Sequence, residues 1–414
     1  MKITIHRGFD QIGGCITEIA TATTRILIDL GHNLPKGNQP DKDEFASKET
    51  IEKLTNGVNA IFYTHYHGDH VDLFKYVPAG VEQYIGETAK QVMSCKYEIL
   101  KGVKNITPDD VEKLKSFKTF HATQKITKGD ITVTPYFVSH SACDAYMFLI
   151  EAGGKRVLHT GDFREHGYLG KGLIPTIENY IVPHVIDALI IEGTMLSRLK
   201  EKVLRETDIQ QEATSLMKQY KYVFAWCSST DIDRLASFCQ ASKKTGRSFL
   251  CDDYQKKVLD IFTKSVGTKS DVYKFDDVYY YKRGHQNQLA LIKNTGFCML
   301  VRGTQFQPVK ELLEQLSAEQ TLLIYSMWSG YIKDGENQNP DFVRLIDLFK
   351  FKFKYEELHT SGHASPETLA KVCNLINPTT AIIPIHSECS KEFRELAISD
   401  ELKDKIKMNE IVEI

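Results

Sequence analysis

Residues 61–70 read IFYTHYHGDH, and this stretch decides the fold of the 414-residue chain. The apolar run 58–64 predicts a buried strand, so the three histidines and the aspartate fall at its carboxyl end, where α/β sheets usually place functional sites. Imidazole and carboxylate groups are the ligands that Zn²⁺ and similar divalent ions prefer. The alternative is a solvated histidine-rich loop. We favour a catalytic metal site, because the spacing His-x-His-x-Asp-His fits two adjacent metals.

Three further polar residues follow strand-like runs in the first half of the chain. Asp29 follows the apolar run 24–28, His140 follows 131–137, and Asp162 follows 157–161. Each lies at the end of its run, as the cluster His65–His70 does. We therefore expect these side chains to gather on one rim of a sheet sandwich.

The ordered set Asp29, His65-x-His67-x-Asp69-His70, His140 and Asp162 resembles the metallo-β-lactamase superfamily. Three later sites resemble motifs A, B and C of its β-CASP nucleases. They are Glu192 after Ile190-Ile191, His363 in Ser-Gly-His-Ala-Ser, and His386 in Pro-Ile-His. The residues around His363 and His386 are most similar to the ribonuclease J family.

The resemblance implies an α/β fold: a metallo-β-lactamase αββα sandwich with an inserted α/β β-CASP cap domain. Alternating strand and helix patterns between residues 206 and 350 agree with such an insertion. We therefore predict a first core part at 1–205, the cap domain at 206–350 and a return to the core at 351–414. Residues 350–355 alternate lysine with aromatic residues, which predicts a half-buried strand returning to the core, with an RNA contact as the alternative.

The resemblance also implies a role for each site residue. Asp162 would bridge two divalent ions, Zn²⁺ or alternatively Mn²⁺, and Asp29 and Glu192 would orient ligand imidazoles. His363 would contact the scissile phosphate and protonate the leaving group. The predicted metal ligands are His65, His67, Asp69, His70, His140, Asp162 and His386, and the predicted catalytic residues are Asp69, Asp162, Glu192 and His363.

A phosphate site is predicted around His363. Ser365, followed by Pro366, is typical of a helix N-cap, and a helix N-terminus suits a phosphate. In ribonuclease J-like enzymes this motif contributes to a pocket for an RNA 5′-monophosphate; the alternative is a cap and nothing more. The residues predicted to contact phosphate are Ser361, Gly362, His363, Ala364 and Ser365, with Ser228 and Ser326 from the cap domain.

Composition sets further expectations. The longest apolar runs fall short of the roughly 18–20 residues that a membrane span needs, and the strand-like start at residues 1–5 does not read as a signal peptide. Nine cysteines without a Cys-x-x-Cys motif indicate a reducing compartment, so we expect a cytoplasmic protein without a membrane partner. The net charge of −2 does not indicate a nucleic-acid binder, although a nuclease needs only a local positive groove.

The expected function is hydrolysis of RNA by hydroxide activated between two metals, with 5′→3′ exonuclease action, endonuclease action or both. A β-CASP nuclease acting on DNA and a non-catalytic RNA-binding subunit are the alternatives. We favour RNA because His386 stands where DNA-acting members typically have valine. The chain ends 28 residues after His386, so we expect the separate C-terminal domain of ribonuclease J to be absent. A homodimer that depends on that domain is therefore in question.

Overall fold

The computed structural model describes residues 1–34, 43, 45–103, 106–333 and 335–414. The chain divides into two compact units. The first comprises the described residues of Met1–Leu34, Lys42–Glu201 and Gly362–Ile414, and the second includes Lys202–Ser361.

The described residues form these strands in chain order: β1 (Lys2–Arg7), β2 (Ile16–Ala20), β3 (Arg25–Ile28), β4 (Ala60–Phe62), β5 (Glu82–Gly86), β6 (Lys118–Phe120), β7 (Ile126–Lys128), β8 (Ile131–Val138), β9 (Ala145–Ala152), β10 (Lys155–His159), β11 (Ala188–Glu192), β12 (Tyr222–Trp226), β13 (Ser248–Cys251), β14 (Val278–Tyr280), β15 (Phe297–Leu300), β16 (Thr321–Tyr325), β17 (Lys354–Glu357), β18 (Ala381–Ile385) and β19 (Ile411–Glu413).

The α-helices among the described residues are α1 (Lys48–Thr55), α2 (Gly68–Val71), α3 (Glu87–Leu100), α4 (Pro108–Lys115), α5 (Leu173–Tyr180), α6 (Glu206–Gln219), α7 (Ile232–Lys244), α8 (Asp253–Lys264), α9 (Gln286–Thr295), α10 (Phe306–Leu313), α11 (Pro340–Lys352), α12 (Pro366–Ile376) and α13 (Asp400–Asp404).

The first unit is a sandwich of two sheets. One has the strand order β19-β1-β2-β3-β4-β5-β6 and the other β18-β11-β10-β9-β8-β7. Buried side chains from both sheets form one core between them, including Ile28 and Phe62 on one side and Phe148 and Ile190 on the other. Phe62 and Phe148 meet edge to face with ring centroids 6.0 Å apart. Burying each such side chain stabilises the fold by about 1.5–3 kcal/mol, which is why these runs are apolar.

Helices cover the outer faces of the sandwich. Side chains of α5 and α12, among them Ile177 and Leu369, share a second core with Leu158 and Leu189 of the second sheet. Helix α3 packs on β5 and β6 of the first sheet. This layering confirms the αββα fold that the sequence predicted.

The strands that precede the predicted site residues run in the same direction within each sheet. Strands β3, β4 and β5 are parallel neighbours in the first sheet, and β10, β11 and β18 are parallel neighbours in the second. Their carboxyl ends therefore meet at one rim, where parallel sheets usually carry ligands.

The second unit is an α/β domain with a sheet of its own. Its six strands pair in the order β14-β13-β15-β12-β16-β17, and every pairing is parallel. Apolar residues of its strands and helices, among them Phe224, Leu323, Leu345 and Phe349, form its core. The inserted α/β domain is thus present.

The structure differs from the expectation for residues 350–355, and so for the domain boundary at residue 351. Helix α11 runs through Lys352, and β17 pairs in parallel with β16 inside the second unit. The physical reason is that Asn339 caps the helix, Pro340 starts it, and Leu345, Ile346 and Phe349 bury one helical face. The alternation of lysine and aromatic residues does not outweigh these signals, and Phe351 is left 92% exposed.

Among the described residues, no helix has both the length and the apolar character needed to cross a membrane.

Candidate metal centre and active site

The predicted ligands lie at the common rim of the first unit. His65 and His67 lie on the loop between β4 and α2, and Asp69 and His70 lie in α2 itself. His140 follows β8, Asp162 follows β10 and His386 follows β18. Except for His67 and Asp69, these side chains are no more than 3% exposed. The structure therefore brings together residues up to 321 positions apart, and it does so through the ends of the strands.

Three histidines form the first ligand group, with His65, His67 and His140 offering nitrogens within 4.8 Å of one another. The Nδ1 atom of His67 lies 3.2 Å from Nε2 of His140. The fully buried Nε2 of His65 has no hydrogen-bond partner among the described residues. A buried polar atom without a partner is costly, so this nitrogen points to a ligand at the centre of the group.

Carboxylates and two histidines form the second group. Nε2 of His386 lies 3.2 Å from Oδ2 of Asp69, and Nε2 of His70 lies 3.9 Å from the same oxygen. Oδ2 of Asp162 is 3.1 Å from Nε2 of His70 and 3.7 Å from Nε2 of His386. Tetrahedral zinc bound at about 2.0–2.1 Å would place its ligand atoms about 3.3 Å apart, so these separations fit a divalent ion.

Asp162 links the two groups. The same Oδ2 atom that faces His70 and His386 also lies 4.0 Å from Nε2 of His65 and 4.0 Å from Nε2 of His140. One carboxylate thus faces both sets of imidazoles, which is the position that a bridging ligand requires.

Hydrogen bonds indicate which nitrogen faces the centre for four of the five candidate ligand histidines. Nδ1 of His70 pairs with Oδ2 of Asp29 at 2.7 Å, and Nδ1 of His140 pairs with the carbonyl oxygen of Gly362 at 2.7 Å. Both partners are acceptors, so each Nδ1 carries its proton and donates it. The proton on Nδ1 leaves the lone pair on Nε2, as a metal ligand requires.

Two threonine hydroxyls, which the sequence reasoning missed, contact Nδ1 of His65 and Nδ1 of His386 in the same way. Oγ1 of Thr64 lies 3.0 Å from Nδ1 of His65 and donates to Asp29. Oγ1 of Thr194 lies 2.7 Å from Nδ1 of His386. Thr64 directly precedes His65 and Thr194 stands two residues after Glu192, but a threonine near a site residue is too common to be a signal of this role.

The electrostatics of the site suit a cation. Burial, followed by the neighbouring histidines, lowers the pKa of His65 well below its usual value. Burial also lowers the pKa of His67 to about 4. Burial by itself would raise the pKa of Asp162, but the histidines around it lower the pKa well below its ordinary value. Burial would lower the pKa of His70, but Asp162 and other nearby carboxylates raise it well above its usual value, so a metal ion would have to displace its proton. Imidazoles beside an ionised carboxylate are the donor set of a divalent metal site, and we conclude that these residues fit such an ion.

Glu192 holds His363 next to these groups. Oε2 of Glu192 lies 3.1 Å from Nδ1 of His363, while its Oε1 accepts hydrogen bonds from the backbone N–H groups of Phe163 and Ala364 at 3.1 and 3.2 Å. Nδ1 of His363 is also 3.6 Å from Oδ2 of Asp162. The contact with Glu192 makes Nδ1 the donor of this pair.

Cys15 is a second group that the sequence reasoning did not place at the site. Its buried thiol lies within 4.8 Å of ligand atoms of His70 and His386. Burial raises the pKa of this thiol well above its usual value. Its position on the loop before β2 gives no sequence signal, because the contact depends on how that loop folds under α2.

The predicted phosphate residues fall into two sets. In the first unit, Ser365 caps α12 by accepting a hydrogen bond from the backbone N–H of Thr368, which confirms the predicted cap. The Ala364 N–H donates to Glu192, so this amide serves the carboxylate. A side chain at Gly362 would meet Oγ of Ser141 at 2.8 Å, so Ser141 would have to shift to admit one.

Ser361, Ser228 and Ser326 belong to the second unit. Oγ of Ser326 is buried, accepts from Nη1 of Arg234 at 2.6 Å and donates to the carbonyl oxygen of Leu358. Its hydroxyl therefore already has a donor and an acceptor within its own unit. Arg234 in turn forms a fully buried ion pair with Glu206, with Nη2 2.9 Å from Oε1. Ser326 is thus part of a network that holds the segment before Ser361.

Comparisons with known proteins agree with this site. Residues 24–217 match a family described as "Beta-lactamase superfamily domain", and residues 350–408 match one described as "Zn-dependent metallo-hydrolase RNA specificity domain". Ribonuclease J of Helicobacter pylori is 22% identical over 98% of this chain and 59% of its own length. The chain therefore spans less than two thirds of that relative.

Two other matches are more limited. Cleavage and polyadenylation specificity factor subunit 3 of Dictyostelium discoideum is 27% identical over 35% of this chain and 20% of its own length. A crystal structure of a protein of unknown function from Enterococcus faecalis V583 covers 94% of both chains with a TM-score of 0.70 and 20% identity, which supports the fold alone.

The two matched domains, together with the αββα sandwich and the rim of histidines and carboxylates, define the class: the chain is a member of the metallo-β-lactamase superfamily. Within the superfamily it belongs to the β-CASP metallo-hydrolases, because its relatives include ribonuclease J and the polyadenylation factor subunit. The family and the clustered histidines and carboxylates indicate divalent metal binding.

Proposed function

We propose that this chain is a metal-dependent ribonuclease that hydrolyses RNA phosphodiester bonds, acting as a 5′→3′ exonuclease, an endonuclease or both. The observation that carries the proposal is the position of Asp162, whose Oδ2 faces both groups of imidazoles at 3.1 to 4.0 Å. The names of the ribonuclease J relatives support RNA as the substrate.

Two divalent ions, Zn²⁺ or Mn²⁺, would supply a nucleophile from water at neutral pH and neutralise charge on the phosphate. His65, His67 and His140 would hold one ion, and Asp69, His70 and His386 the other, with Asp162 shared. Asp29 keeps the Nε2 lone pair of His70 directed at the centre, through the 2.7 Å contact with Nδ1.

His363 is the group that acts on the substrate. Its ring lies 5.3 Å from that of His140 and 5.2 Å from that of His386, measured between centroids. Glu192 accepts a hydrogen bond from Nδ1–H, so Nε2 is the atom that contacts the phosphate and delivers a proton to the leaving oxygen. The carboxylate of Glu192 stabilises the imidazolium form, as an orienting acid does in other proton-transfer sites.

We assign the phosphate contacts to Ser361, Gly362, His363 and Ser365, and Ser228 of the second unit stays a candidate. The amide of Ala364 and the hydroxyl of Ser326 are used by Glu192 and by Arg234 and Leu358. Ser365 stands at the N-terminus of the 11-residue helix α12, where exposed amides favour an anion.

The test uses RNA labelled at the 5′ end or at the 3′ end, incubated with metal-loaded protein. Release of a labelled mononucleotide from the 5′ end indicates exonuclease action, and discrete fragments indicate endonuclease action. A single-stranded DNA of the same sequence serves as the alternative substrate. The Asp162→Ala variant is the matched control, because it removes the shared ligand. Equal hydrolysis by this variant and the wild type would refute the proposal, as would hydrolysis of DNA alone.

A further inference from the structure

The second unit contains a cavity at the carboxyl edge of its parallel sheet. Its lining comes from the ends of β13, β14 and β15 and from α10, and the cavity volume is about 170 Å³. Its lining residues include Asp252, Tyr280, Tyr281, Arg283 and Gln305. None of them belongs to the metal centre. In α/β domains this edge of the sheet is the usual place for a ligand.

The size and the polar groups of the cavity indicate the kind of ligand. Sites that enclose a drug-sized molecule have about 300–1,000 Å³, so this smaller cavity suits a single planar group. Most of its lining is apolar or aromatic. The one carboxylate, Asp252, already accepts hydrogen bonds from Arg302 and, at 2.9 Å, from Gln305. Because the charge of Asp252 is compensated by these donors, the cavity favours an uncharged ring over a phosphate.

The mouth of the cavity carries exposed aromatic and basic side chains. Residues 279–283 read Tyr-Tyr-Tyr-Lys-Arg. Tyr280 is 49% exposed, and Arg283 forms an ion pair with Glu311 in which both side chains are exposed to solvent. An exposed pair contributes little free energy, so the guanidinium can exchange Glu311 for a phosphate. Among the described residues, Lys282 makes no ion pair and adds a positive charge.

The segment is held in place by α9. The side chain of Gln288 donates to the carbonyl oxygen of Tyr280 at 2.7 Å and accepts from the backbone N–H of Lys282 at 2.9 Å. His285 caps the same helix. The tyrosine and the two cations are therefore presented by a backbone that is fixed on both sides of Tyr281, which lowers the ordering cost of binding.

We infer that this cavity receives one unstacked base of a single-stranded RNA, with the ring against Tyr280 and the adjoining phosphate at Lys282 and Arg283. A planar base matches the small apolar cavity, and the polyanionic backbone matches the basic mouth. The inference rests on the proposed function for its choice of RNA. It adds a binding subsite in the second unit that is built from residues outside the metal centre.

The experiment compares two neighbouring tyrosines. Tyr279 is 55% exposed and Tyr280 49%, but only Tyr280 lines the cavity, so Tyr279→Ala is the matched control for Tyr280→Ala. Affinity is measured by fluorescence anisotropy with a fluorescein-labelled, unstructured RNA of about 12 nucleotides, on full-length protein freed of metal by chelation so that the RNA stays intact.

Stacking of a base on an aromatic side chain predicts a loss of about 5- to 150-fold in affinity for Tyr280→Ala. Tyr280→Phe should keep the wild-type affinity, because stacking needs the ring alone. Tyr279→Ala should also keep it. Equal affinities for Tyr280→Ala and Tyr279→Ala would overturn the inference.

A second measurement on the wild-type protein keeps the inference testable if a variant does not fold. Ultraviolet crosslinking with RNA that contains 4-thiouridine should label the peptide with Tyr280, and labelling confined to other peptides would overturn the inference.

The outcomes distinguish the failure of the proposed function from the failure of the subsite. If metal-loaded protein does not cleave RNA while binding still depends on Tyr280, only the proposed function falls. If RNA is cleaved while Tyr280→Ala binds normally, only the subsite falls.

Discussion

Replacing Asp29 by asparagine tests whether its carboxylate determines which ring nitrogen of His70 carries the proton. Oδ1 of Asp29 accepts the backbone N–H of Thr64 at 2.7 Å, and Oδ2 accepts Nδ1–H of His70 at 2.7 Å. In Asp29→Asn the amide oxygen can keep the Thr64 bond, which places the NH₂ group against Nδ1. Two donors cannot pair, so the imidazole must carry its proton on Nε2, the atom that faces Asp162.

Two estimates of the magnitude agree. A hydrogen bond to a charged group contributes about 1.5–3 kcal/mol, which corresponds to about 10- to 150-fold in a binding constant. Loss of a carboxylate that orients a ligand histidine typically costs about 10–100-fold in metal affinity or activity. We therefore expect Asp29→Asn to weaken Zn²⁺ binding by about 10- to 100-fold.

The backbone conformation at residue 29 should tolerate the substitution, so its effect should come from the lost carboxylate. Asp29 has φ of +61°, a left-handed conformation that asparagine tolerates as well as aspartate does. Asp144 offers a matched control, because it has φ of +64° and its carboxylate accepts from the backbone N–H of Thr88 and from the hydroxyl of Tyr146.

The assay is competition between metal-free protein and a chromogenic chelator for Zn²⁺ at neutral pH, with thermal melting to show that each variant is folded. Asp144→Asn should change the melting temperature and leave the Zn²⁺ affinity unaltered. If Asp29→Asn bound Zn²⁺ as tightly as the wild type, or if Asp144→Asn lost as much affinity, the reasoning about the tautomer of His70 would be refuted.

Three other predictions concern the second metal and His363, the phosphate site, and the carboxylate of Glu18. His386→Ala should lose one metal equivalent and most activity, whereas His363→Ala should lose activity and keep its metal; elemental analysis of both variants checks this, and equal metal loss would contradict the role of His363. Exonuclease action should favour 5′-monophosphate RNA over triphosphate or hydroxyl ends by about tenfold or more, since each 1.4 kcal/mol is a factor of ten. Ser365→Ala should shrink that preference in a comparison of initial rates, and equal rates on all three ends would remove the phosphate site. Burial would raise the pKa of Glu18, but hydrogen bonds and attraction from its basic neighbours lower it to about 2 from 4.5. A lowered carboxyl pKa stabilises the fold above the unfolded value, so the stability difference between wild type and Glu18→Gln should be present at pH 6 and vanish as pH falls from about 4.5 to about 2. Urea unfolding across that range measures it, and a difference that persisted at the lowest pH would contradict it.

The clustering of the candidate ligands could be predicted from sequence because most of them come shortly after a strand whose apolar run is visible locally. The runs before His65, Asp162 and His386 become β4, β10 and β18, and parallel pairing brings their ends to one rim. The helix after Ser365 was predictable for the same reason, since its cap and proline are adjacent in sequence.

Asp29 was predicted to orient a ligand imidazole, but the partners of His140 and His386 depend on long-range packing, so the sequence did not reveal them. The carbonyl oxygen of Gly362 that accepts from His140 lies 222 residues away along the chain, and the hydroxyl of Thr194 lies 192 residues from His386. Any backbone carbonyl or threonine could fill such a role, so residue type alone does not single one out. The strand predicted at residues 350–355 was wrong for another reason. A period of two and a helical period overlap there, and burial of the apolar helical face decides in favour of the helix.

The backbone at His386 shows how the fold fixes a ligand before any metal binds. His386 has φ of +52°, a conformation that costs a residue with a Cβ about 1–3 kcal/mol. Two contacts hold it: its N–H donates to the carbonyl oxygen of Gly8, and the hydroxyl of Thr194 lies 3.2 Å from its own carbonyl oxygen. Strand β18 also stays paired with β11 up to Ile385, so the reversal falls on the next residue. The chain turns at His386, and the turn directs the imidazole toward Asp69. The strained backbone therefore holds the imidazole in position, which lowers the free-energy cost of ordering it when a metal binds.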